Sequence, residues 1–294
     1  MPPVSALAAW RFAPLPTVAV ILLAAAYLAG MWRVGRRHPA RPWPATRALA
    51  FLAGLAVTAV ATQSAVAGYD GVLFSAHMVQ HVLLIMVVPP LLVAGRPIML
   101  LLHASRNPVH TWVKRAVRSP AVTGLSCPPA GALLYALVVA GTHTPPVMDL
   151  VLASGAAHDA EHALYLVTGY LFFLPVVGSE PIRWRLSLPG RYLMLLAAMQ
   201  VDTVVGVVLM VTGHPLFPGY AAARRPWPVT ALADVHDGGM IMWMGSDAVM
   251  ALLAVVLAAA FFYRPRQPGN VADEAALASY NARLAALGDR SLAR

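Results

Sequence analysis

The segment from Val72 to Ala94, VLFSAHMVQHVLLIMVVPPLLVA, decides the fold of this chain and contains no Asp, Glu, Lys or Arg. A stretch of about 20 apolar residues is long enough for a helix to cross the hydrocarbon core of a bilayer. Two histidines, His77 and His81, interrupt the segment one helical turn apart. Histidine is costly inside a bilayer, and residues i and i+4 lie on one face of a helix about 6 Å apart. The segment therefore predicts a membrane helix that presents two imidazoles on one face.

The composition of the whole chain also indicates a membrane protein. Of its 294 residues, 59% are hydrophobic and 11% are charged, and the mean hydropathy is +0.68. A soluble domain carries about 25% charged residues. The one cysteine, Cys127, excludes an intramolecular disulfide and a multi-thiolate metal site. The sequence contains no phosphate-binding loop, nucleophile elbow or nucleic-acid-binding motif, so we expect no nucleic-acid partner.

Seven stretches are apolar and long enough to cross a bilayer, so the predicted fold is all-α, a polytopic bundle of seven transmembrane helices. Cys127-Pro128-Pro129 interrupts the fourth, which is therefore kinked or begins late. The N-terminal sequence lacks the basic region of a signal peptide, and we expect the first span to be retained. We predict a membrane domain over residues 1–263 and a polar cytoplasmic tail over residues 264–294. The seven predicted spans lie near Leu15–Met31, Thr46–Ala67, Val72–Ala94, Ala121–Thr142, His158–Val177, Arg191–Thr212 and Val235–Tyr263.

The positions of the basic residues predict the orientation of the bundle. Of the 21 Lys and Arg residues, 18 lie in four regions of the chain. Three of these regions connect spans one and two, spans three and four, and spans five and six, and the fourth follows span seven. The exceptions are Arg11, Arg224 and Arg225. The positive-inside rule therefore places the N-terminus outside and the C-terminus in the cytoplasm. The alternation of basic and non-basic loops supports the count of seven spans independently of hydropathy.

This orientation gathers most of the ten histidines on the outer side. A second pair, His158 and His162, repeats the i, i+4 spacing in HDAEH at the head of span five. The three histidines of the inner loops, His38, His103 and His110, are interpreted as surface residues. Histidines from several helices therefore meet one membrane face. The outer-side histidines are His77, His81, His143, His158, His162, His214 and His236.

The outer histidines predict a metal or haem site, because neutral imidazole is a common ligand of copper, zinc, iron and nickel. A nearby carboxylate can accept the second ring N–H, and outer-side methionines would add soft thioether ligands that favour Cu(I) over Zn(II). A single boundary histidine is more often an interfacial residue, and methionines in apolar helices mostly pack. The candidate ligands are His77, His81, His143, His158, His162 and His236. The candidate supporting residues are Asp159, Glu161, Asp234, Asp237, Met78 and Met240.

Two further acids lie within predicted spans, Asp202 near the middle of span six and Asp247 about halfway along span seven. A carboxylate at the centre of a bilayer costs roughly 2.5–3.5 kcal/mol on insertion scales, so both are expected to face the bundle interior. These positions are equally consistent with two roles. Each acid could be neutral and hydrogen-bonded to a neighbouring helix, or it could lie on an ion path.

Several motifs together resemble the CtaG family of bacterial cytochrome c oxidase assembly factors, which are polytopic membrane proteins. The resemblance covers roughly residues 14–263. This chain departs from the family pattern at two places. Many members have Gln directly after the Asp that corresponds to Asp234, whereas this chain has Val235. The sequence Cys127-Pro128-Pro129 is also unusual in span four. The motifs are RPWPATRALAFLAG (41–54), HMVQHVLLIMVVPPLLVAGRP (77–97), THTPPVMD (142–149), HDAEHALYLVTGYLFFLPVVG (158–178) and DVHDGGMIMW (234–243).

The resemblance implies a factor of the bacterial plasma membrane that is needed to assemble a haem-copper oxidase and helps copper reach its catalytic subunit. The positions that carry over are His77, His81, His143, His158, His162 and Asp234. We expect the chain to bind copper, most readily as Cu(I), in its outer leaflet and to pass it to the oxidase subunit, with an extracytoplasmic protein as a candidate copper donor.

No bond is made or broken in such a transfer, so we do not expect an enzyme. Three alternatives stay open at this point. The first is a copper transporter that uses Asp202 and Asp247, and the second is a metal-free assembly scaffold. The third is a b-type haem electron carrier with one axial histidine from span three and one from span five.

Overall fold

The computed structural model describes residues 10–225, 228–263 and 279, and these residues form helices and connecting loops without a β-strand. The all-α prediction is therefore confirmed. The predicted tail, residues 264–294, lies outside the described residues apart from residue 279. The chain divides after Val255 into two compact units. All the packing described below lies in the first unit.

Among the described residues, six helical segments are long and apolar enough to cross a membrane, and they coincide with predicted spans one, two, three, five, six and seven. The fourth span is a pair of helices bent by 72°, which gives six spans, or seven if the bent pair is one span. The orientation stays a prediction. The six segments are Pro14–Arg37, Ala45–Tyr69, Phe74–Ala104, Gly155–Val177, Leu188–Val211 and Ala231–Phe262, and the bent pair is Pro128–Thr142 with Pro145–Ala153.

Three of these segments are interrupted, and short helices occupy the loops. Span two consists of Ala45–Gln63 and Ala65–Tyr69. Span three consists of Phe74–Val82, the π-helical turn Leu83–Val87, Val88–Ala94 and Pro97–Ala104. Span seven consists of Ala231–Met240, the π-helical turn Ile241–Gly245 and Ser246–Phe262. The loop helices are Val109–Val117, Pro120–Leu125 and Pro218–Ala222.

Proline and serine determine where the helices around the site begin. Pro128 occupies the first position of the fourth span, which begins late as its Cys-Pro-Pro sequence predicts. Proline suits that position because its fixed φ is helical and its missing N–H has no partner there in any case. Ser154 caps span five by accepting a hydrogen bond from the Ala157 N–H at 3.3 Å. Gly178 ends the same helix in the left-handed conformation, with φ of 63°.

The π-helical turn in span three precedes the pair Pro89 and Pro90 directly. A proline inside an α-helix clashes with the carbonyl of residue i−4, which here would be Ile85 or Met86. The wider turn at Leu83–Val87 accommodates that conflict without ending the span. The sequence analysis gave only the bounds of these spans, and hydropathy does not distinguish the two π turns from ordinary α-helix. Turns of this kind are frequent at functional sites.

Glycines let span five approach span three, and span seven approach span six, more closely than side chains would allow. A Cβ atom at Gly169 would meet the backbone carbonyl oxygen of Ile85 and would lie 2.6 Å from the Pro89 ring. A Cβ atom at Gly206 would lie 2.7 Å from the Gly239 carbonyl oxygen. Small residues at such crossings are the usual means by which membrane helices pack backbone against backbone. These contacts bring the histidines of spans three and five together.

Candidate metal centre

Glu161 of span five lies between the two histidines of span three. Its Oε2 is 3.3 Å from His77 Nε2, and its Oε1 is 3.4 Å from His81 Nε2. All three side chains are buried. The i, i+4 spacing of the histidines turns both imidazoles toward one carboxylate, so Glu161 stands among the candidate ligands themselves. Sequence analysis had given it only a supporting role.

His158 links this trio to a second acid. Its Nε2 lies 3.6 Å from Asp70 Oδ2, and its ring stacks on His77 with centroids 5.2 Å apart. Two sets of three candidate ligands result, each with ligand atoms within 4.8 Å of one another. One is His77, His158 and Glu161, and the other is Asp70, His158 and His162. We call these five residues, with His81, the histidine–carboxylate cluster.

The cluster contains more buried polar atoms than its own hydrogen bonds satisfy. Within the described residues, no ring nitrogen of His77 or His81 and neither Glu161 oxygen makes a hydrogen bond of acceptable geometry, although each Nε2 lies within ion-pair distance of one Glu161 oxygen. Nε2 of His158 and of His162 are also buried without one. Buried polar atoms in folded proteins are nearly always paired. Imidazole nitrogens and carboxylate oxygens are ligands for divalent and monovalent transition metals, so a bound cation would satisfy these atoms.

A short helix between spans six and seven contacts the cluster. Tyr220, in the short helix Pro218–Ala222, donates a hydrogen bond from its hydroxyl to the Asp70 carbonyl at 2.6 Å. Its ring lies edge-on to His77, with centroids 6.3 Å apart. Burial raises the pKa of Tyr220 well above its usual value, so the phenol stays a neutral donor. His158, with 19% of its side chain exposed, is more accessible than His77 and His81, whose side chains are 0% and 4% exposed.

His143 lies next to His81, on the side of the cluster that faces the bundle interior. Its ring centroid lies 5.5 Å from that of His81, and its Nδ1 lies 2.6 Å from the Val139 carbonyl oxygen. Its Nε2 lies 3.1 Å from the sulfur of Met78. The first helix of the bent fourth span, Pro128–Thr142, therefore ends beside the cluster, where the sequence predicts that span four ends.

The sequence matches the cytochrome c oxidase caa3 assembly factor family over residues 25–263. The chain belongs to this family. The resemblance inferred from its motifs is thereby confirmed, and the match includes every residue of the histidine–carboxylate cluster.

Uncharacterized proteins of mycobacteria are similar to this member of the caa3 assembly factor family. Those of Mycobacterium bovis and Mycobacterium tuberculosis are 31% identical to it over 282 residues. The alignments cover 93% of this chain and 42% of each relative, so the chain spans about two fifths of their length. One from Mycobacterium leprae is 30% identical over 85% of this chain and 39% of its own. No solved structure gives a significant match.

In this family member, Asp234 fixes the start of span three. Its Oδ2 accepts a hydrogen bond from the Phe74 N–H at 2.7 Å. Its Oδ1 accepts from the Ser75 N–H at 3.1 Å and from the Ser75 hydroxyl at 2.6 Å. A carboxylate that satisfies the first N–H groups of a helix stabilises that helix end. Asp234 therefore orients His77 by holding the helix that carries it.

Other predicted site residues lie outside the two ligand sets. His236 Nε2 is 2.9 Å from the Thr212 carbonyl oxygen, a contact between spans seven and six. The side chains of Asp159, Asp237 and Met240 are exposed.

The two intramembrane acids differ from each other. Asp202 is fully buried, and its carboxyl oxygens lie 2.9 and 3.1 Å from the Tyr135 hydroxyl of span four. Asp247 is only half-buried. Asp202 thus faces the bundle interior, as its position in the span predicts.

Sequence reasoning did not include Asp70, Tyr165 or Tyr220 among the site residues. Asp70 was recognisable as an outer acid at the end of span two, but nothing local connects it with a histidine 88 positions later. Tyr165 stacks on His81 with centroids 4.0 Å apart, and its hydroxyl lies 2.7 Å from that of Thr142. These contacts depend on how spans two, four and five pack, which periodicity does not encode.

Proposed function

We propose that this chain is a plasma-membrane assembly factor for a haem-copper oxidase. It binds copper at the histidine–carboxylate cluster and assists its insertion into the catalytic subunit. Membership in the caa3 assembly factor family supports the assembly role. The observation that carries the copper part is the pair of ligand sets that both include His158.

The chemistry of the cluster supports a cation as its occupant. Glu161 and Asp70 supply carboxylates that offset the charge of a metal ion in a region of low dielectric constant. The imidazoles supply neutral nitrogen ligands that bind copper, zinc, iron or nickel. Copper is favoured because the family serves an oxidase whose catalytic subunit requires it, and because thioether sulfur lies next to the cluster.

The graded exposure of the histidines supports a path for the ion. His158, partly exposed, accepts copper from outside the membrane. His77 and Glu161, both buried, hold it within the bundle. Copper for a membrane-embedded oxidase centre then enters the bilayer laterally from the outer leaflet, where the partner subunit receives it. The donor is an extracytoplasmic copper protein.

Metal analysis of detergent-purified protein tests this proposal. Wild type, His158→Ala and the outer-side control His236→Ala are loaded anaerobically with Cu(I), desalted and compared for copper content, with an absorbance spectrum of each. We expect copper in wild type and in His236→Ala, and a loss of at least tenfold in copper affinity in His158→Ala, because His158 belongs to both ligand sets. His158 is partly exposed, so its replacement leaves the folded core intact.

Two results would contradict the proposal. Wild type that takes up no Cu(I) would support a metal-free scaffold, and a Soret band would support a haem carrier. Handover is tested in cells by the copper content and activity of the oxidase. Both fall in a His158→Ala strain and stay normal in a His236→Ala strain if the cluster delivers copper.

A further inference from the structure

The contact between His143 and Met78 has the geometry of a ligand pair. The Val139 carbonyl can only accept a hydrogen bond, so His143 Nδ1, at 2.6 Å from it, carries the proton. In a neutral imidazole the other nitrogen, Nε2, then has a lone pair and no hydrogen. That lone pair faces the thioether sulfur of Met78 at 3.1 Å, and sulfur is likewise a lone-pair donor.

Both side chains are buried, which limits how this contact can be satisfied. Met78 is fully buried and His143 is 8% exposed. A protonated imidazolium would donate to the sulfur, but a buried charge without a carboxylate partner is costly. No carboxylate oxygen lies within salt-bridge distance of His143 among the described residues. A soft cation bound by both lone pairs removes the conflict.

Met78 of this pair also lines a small cavity between the helices. The space open to the centre of a water-sized sphere is about 10 Å³, near the room needed for one water molecule or one metal ion. The π-helical turns of spans three and seven both contribute to its wall, through Met86 and Met242. The other lining residues that matter here are Met78, His81, Asp202 and Ser246.

The ligands near this cavity differ in kind from those of the histidine–carboxylate cluster. Imidazole with carboxylate accepts divalent ions such as Zn(II) and Cu(II), whereas imidazole with thioether selects Cu(I). Neutral ligands also hold a single positive charge at lower desolvation cost than a double one. His81 lies between the two regions, with its ring 4.2 Å from that of His77 and 5.5 Å from that of His143.

We propose that Met78 Sδ and His143 Nε2 form a second, inner metal site that binds Cu(I) and rejects divalent ions. The ion reaches it from the histidine–carboxylate cluster through His81, and this step rests on the proposed function. The cavity, which His81 and Met78 both line, gives the ion room to move between them. The inner site therefore selects Cu(I) over divalent metal ions.

X-ray absorption and metal stoichiometry test the inner site in a Cys127→Ser background, where any sulfur ligand must be a methionine. We compare the parent, Met78→Leu, His158→Ala and the matched control Met250→Leu, which replaces another fully buried methionine. Leucine conserves the volume of methionine, so Met78→Leu keeps the packing. Each protein is loaded with Cu(I) anaerobically, and separately with Zn(II).

We expect two Cu(I) ions and a copper–sulfur shell in the parent and in Met250→Leu. Met78→Leu should keep one Cu(I) and lose the sulfur shell, while its Zn(II) binding stays at the parent value. A parent with one Cu(I) and only nitrogen and oxygen ligands would overturn the inner site and leave the proposed function standing. A sulfur shell that persists in Met78→Leu would also overturn it.

The variant His158→Ala separates the two proposals. Loss of one Cu(I) with retention of the sulfur shell supports both sites. A parent that binds a single Cu(I) through sulfur, with no change in His158→Ala, would overturn the proposed function at the outer cluster while supporting the inner site. A parent that binds no Cu(I) overturns both.

Discussion

Three carboxylates of similar sequence context perform different tasks in the folded chain. Glu161 faces two imidazoles, Asp234 accepts hydrogen bonds from the start of span three, and the side chain of Asp159 is exposed. Each lies within two residues of a histidine, so spacing alone assigns all three to the histidines. The direction in which each side chain leaves its helix separates them.

Asp234→Ala should destabilise the protein without abolishing the proposed copper binding. The change deletes the acceptor for two backbone N–H groups at the start of span three, and loss of a helix cap costs about 1–2 kcal/mol. Thermal unfolding in detergent, with copper content measured in parallel, checks this. The matched control is Asp237→Ala, three residues on and exposed, which should leave the unfolding midpoint unchanged. Loss of copper from folded Asp234→Ala would contradict a role confined to stabilising the start of span three.

Glu180, in the loop between spans five and six, should make stability depend on pH. It accepts hydrogen bonds from the Ile98 and Met99 N–H groups at 3.0 Å each. Burial raises its pKa from 4.5 to about 7, against the lowering effect of these donors and of Arg96. Because the pKa is higher in the folded state, its contribution to stability is present below the unfolded pKa and is lost as pH rises through 7.

We therefore expect the unfolding midpoint of wild type to fall more steeply than that of Glu180→Gln between about pH 5 and pH 8. Glutamine keeps an oxygen acceptor and cannot ionise in this range. Scanning fluorimetry in detergent at a series of pH values gives both curves. Parallel curves would show that Glu180 does not titrate in this window.

At the scale of the element, spans three and five form the scaffold of the site. The π-helical turn of span three lies opposite Gly169, and the two histidine pairs lie on the turns that precede this crossing. The crossing therefore sets the distance between the helix of His77 and the helix of Glu161. The HxxxH spacing predicted the paired imidazoles on each helix, but the π turn and the close approach of the helices depend on both partners.

Gly169→Ala should weaken this crossing. The added methyl group would meet the Ile85 carbonyl oxygen, and overpacking of this kind costs about 1–3 kcal/mol. Helix propensity alone predicts the opposite sign, since alanine favours a helix by roughly 0.5–1 kcal/mol over glycine. Thermal unfolding distinguishes the two. Gly141→Ala, where an added Cβ has nothing within 4 Å, is the control and should be neutral or slightly stabilising.

At the scale of the whole molecule, the bent fourth span decides the topology. Near its start, the Thr123 carbonyl accepts a hydrogen bond from Trp184 Nε1 in the loop between spans five and six, at 2.7 Å. At the end of its first helix, Pro128–Thr142, His143 contacts Met78 beside the histidine–carboxylate cluster. The segment from Thr123 to His143 therefore connects the two ends of span five, which agrees with seven crossings and with the alternation of basic loops.

Accessibility of single cysteines should confirm that alternation. In a Cys127→Ser background, Thr144→Cys lies at the bend of the fourth span, just after its first helix, and Asn107→Cys lies before that span. Both positions are exposed. A membrane-impermeant maleimide added to intact cells should label Thr144→Cys and leave Asn107→Cys unlabelled until the membrane is permeabilised. Labelling of both in intact cells, or of neither, would show that the fourth span does not cross.

The sequence determined the features that depend on local chemistry. Hydropathy placed six of the seven spans, Cys127-Pro128-Pro129 indicated the late start of the fourth, and the i, i+4 spacing fixed which imidazoles lie on one helix face. The family was evident from the motifs. These features depend on whether an apolar segment is long enough to cross a bilayer and on the period of the α-helix. Both are properties of a single helix and do not depend on its neighbours.

Only the tertiary structure decided which of the chemically similar side chains meet. It brought Asp70 to His158 across 88 positions, turned Glu161 between His77 and His81, and used Asp234 as a helix cap. It also set the Met78 sulfur against His143 Nε2. The physical reason is that these distances depend on how closely two helices pack and on where a π turn rotates one of them. Both are properties of pairs of helices, settled by glycines and prolines that face each other across the bundle.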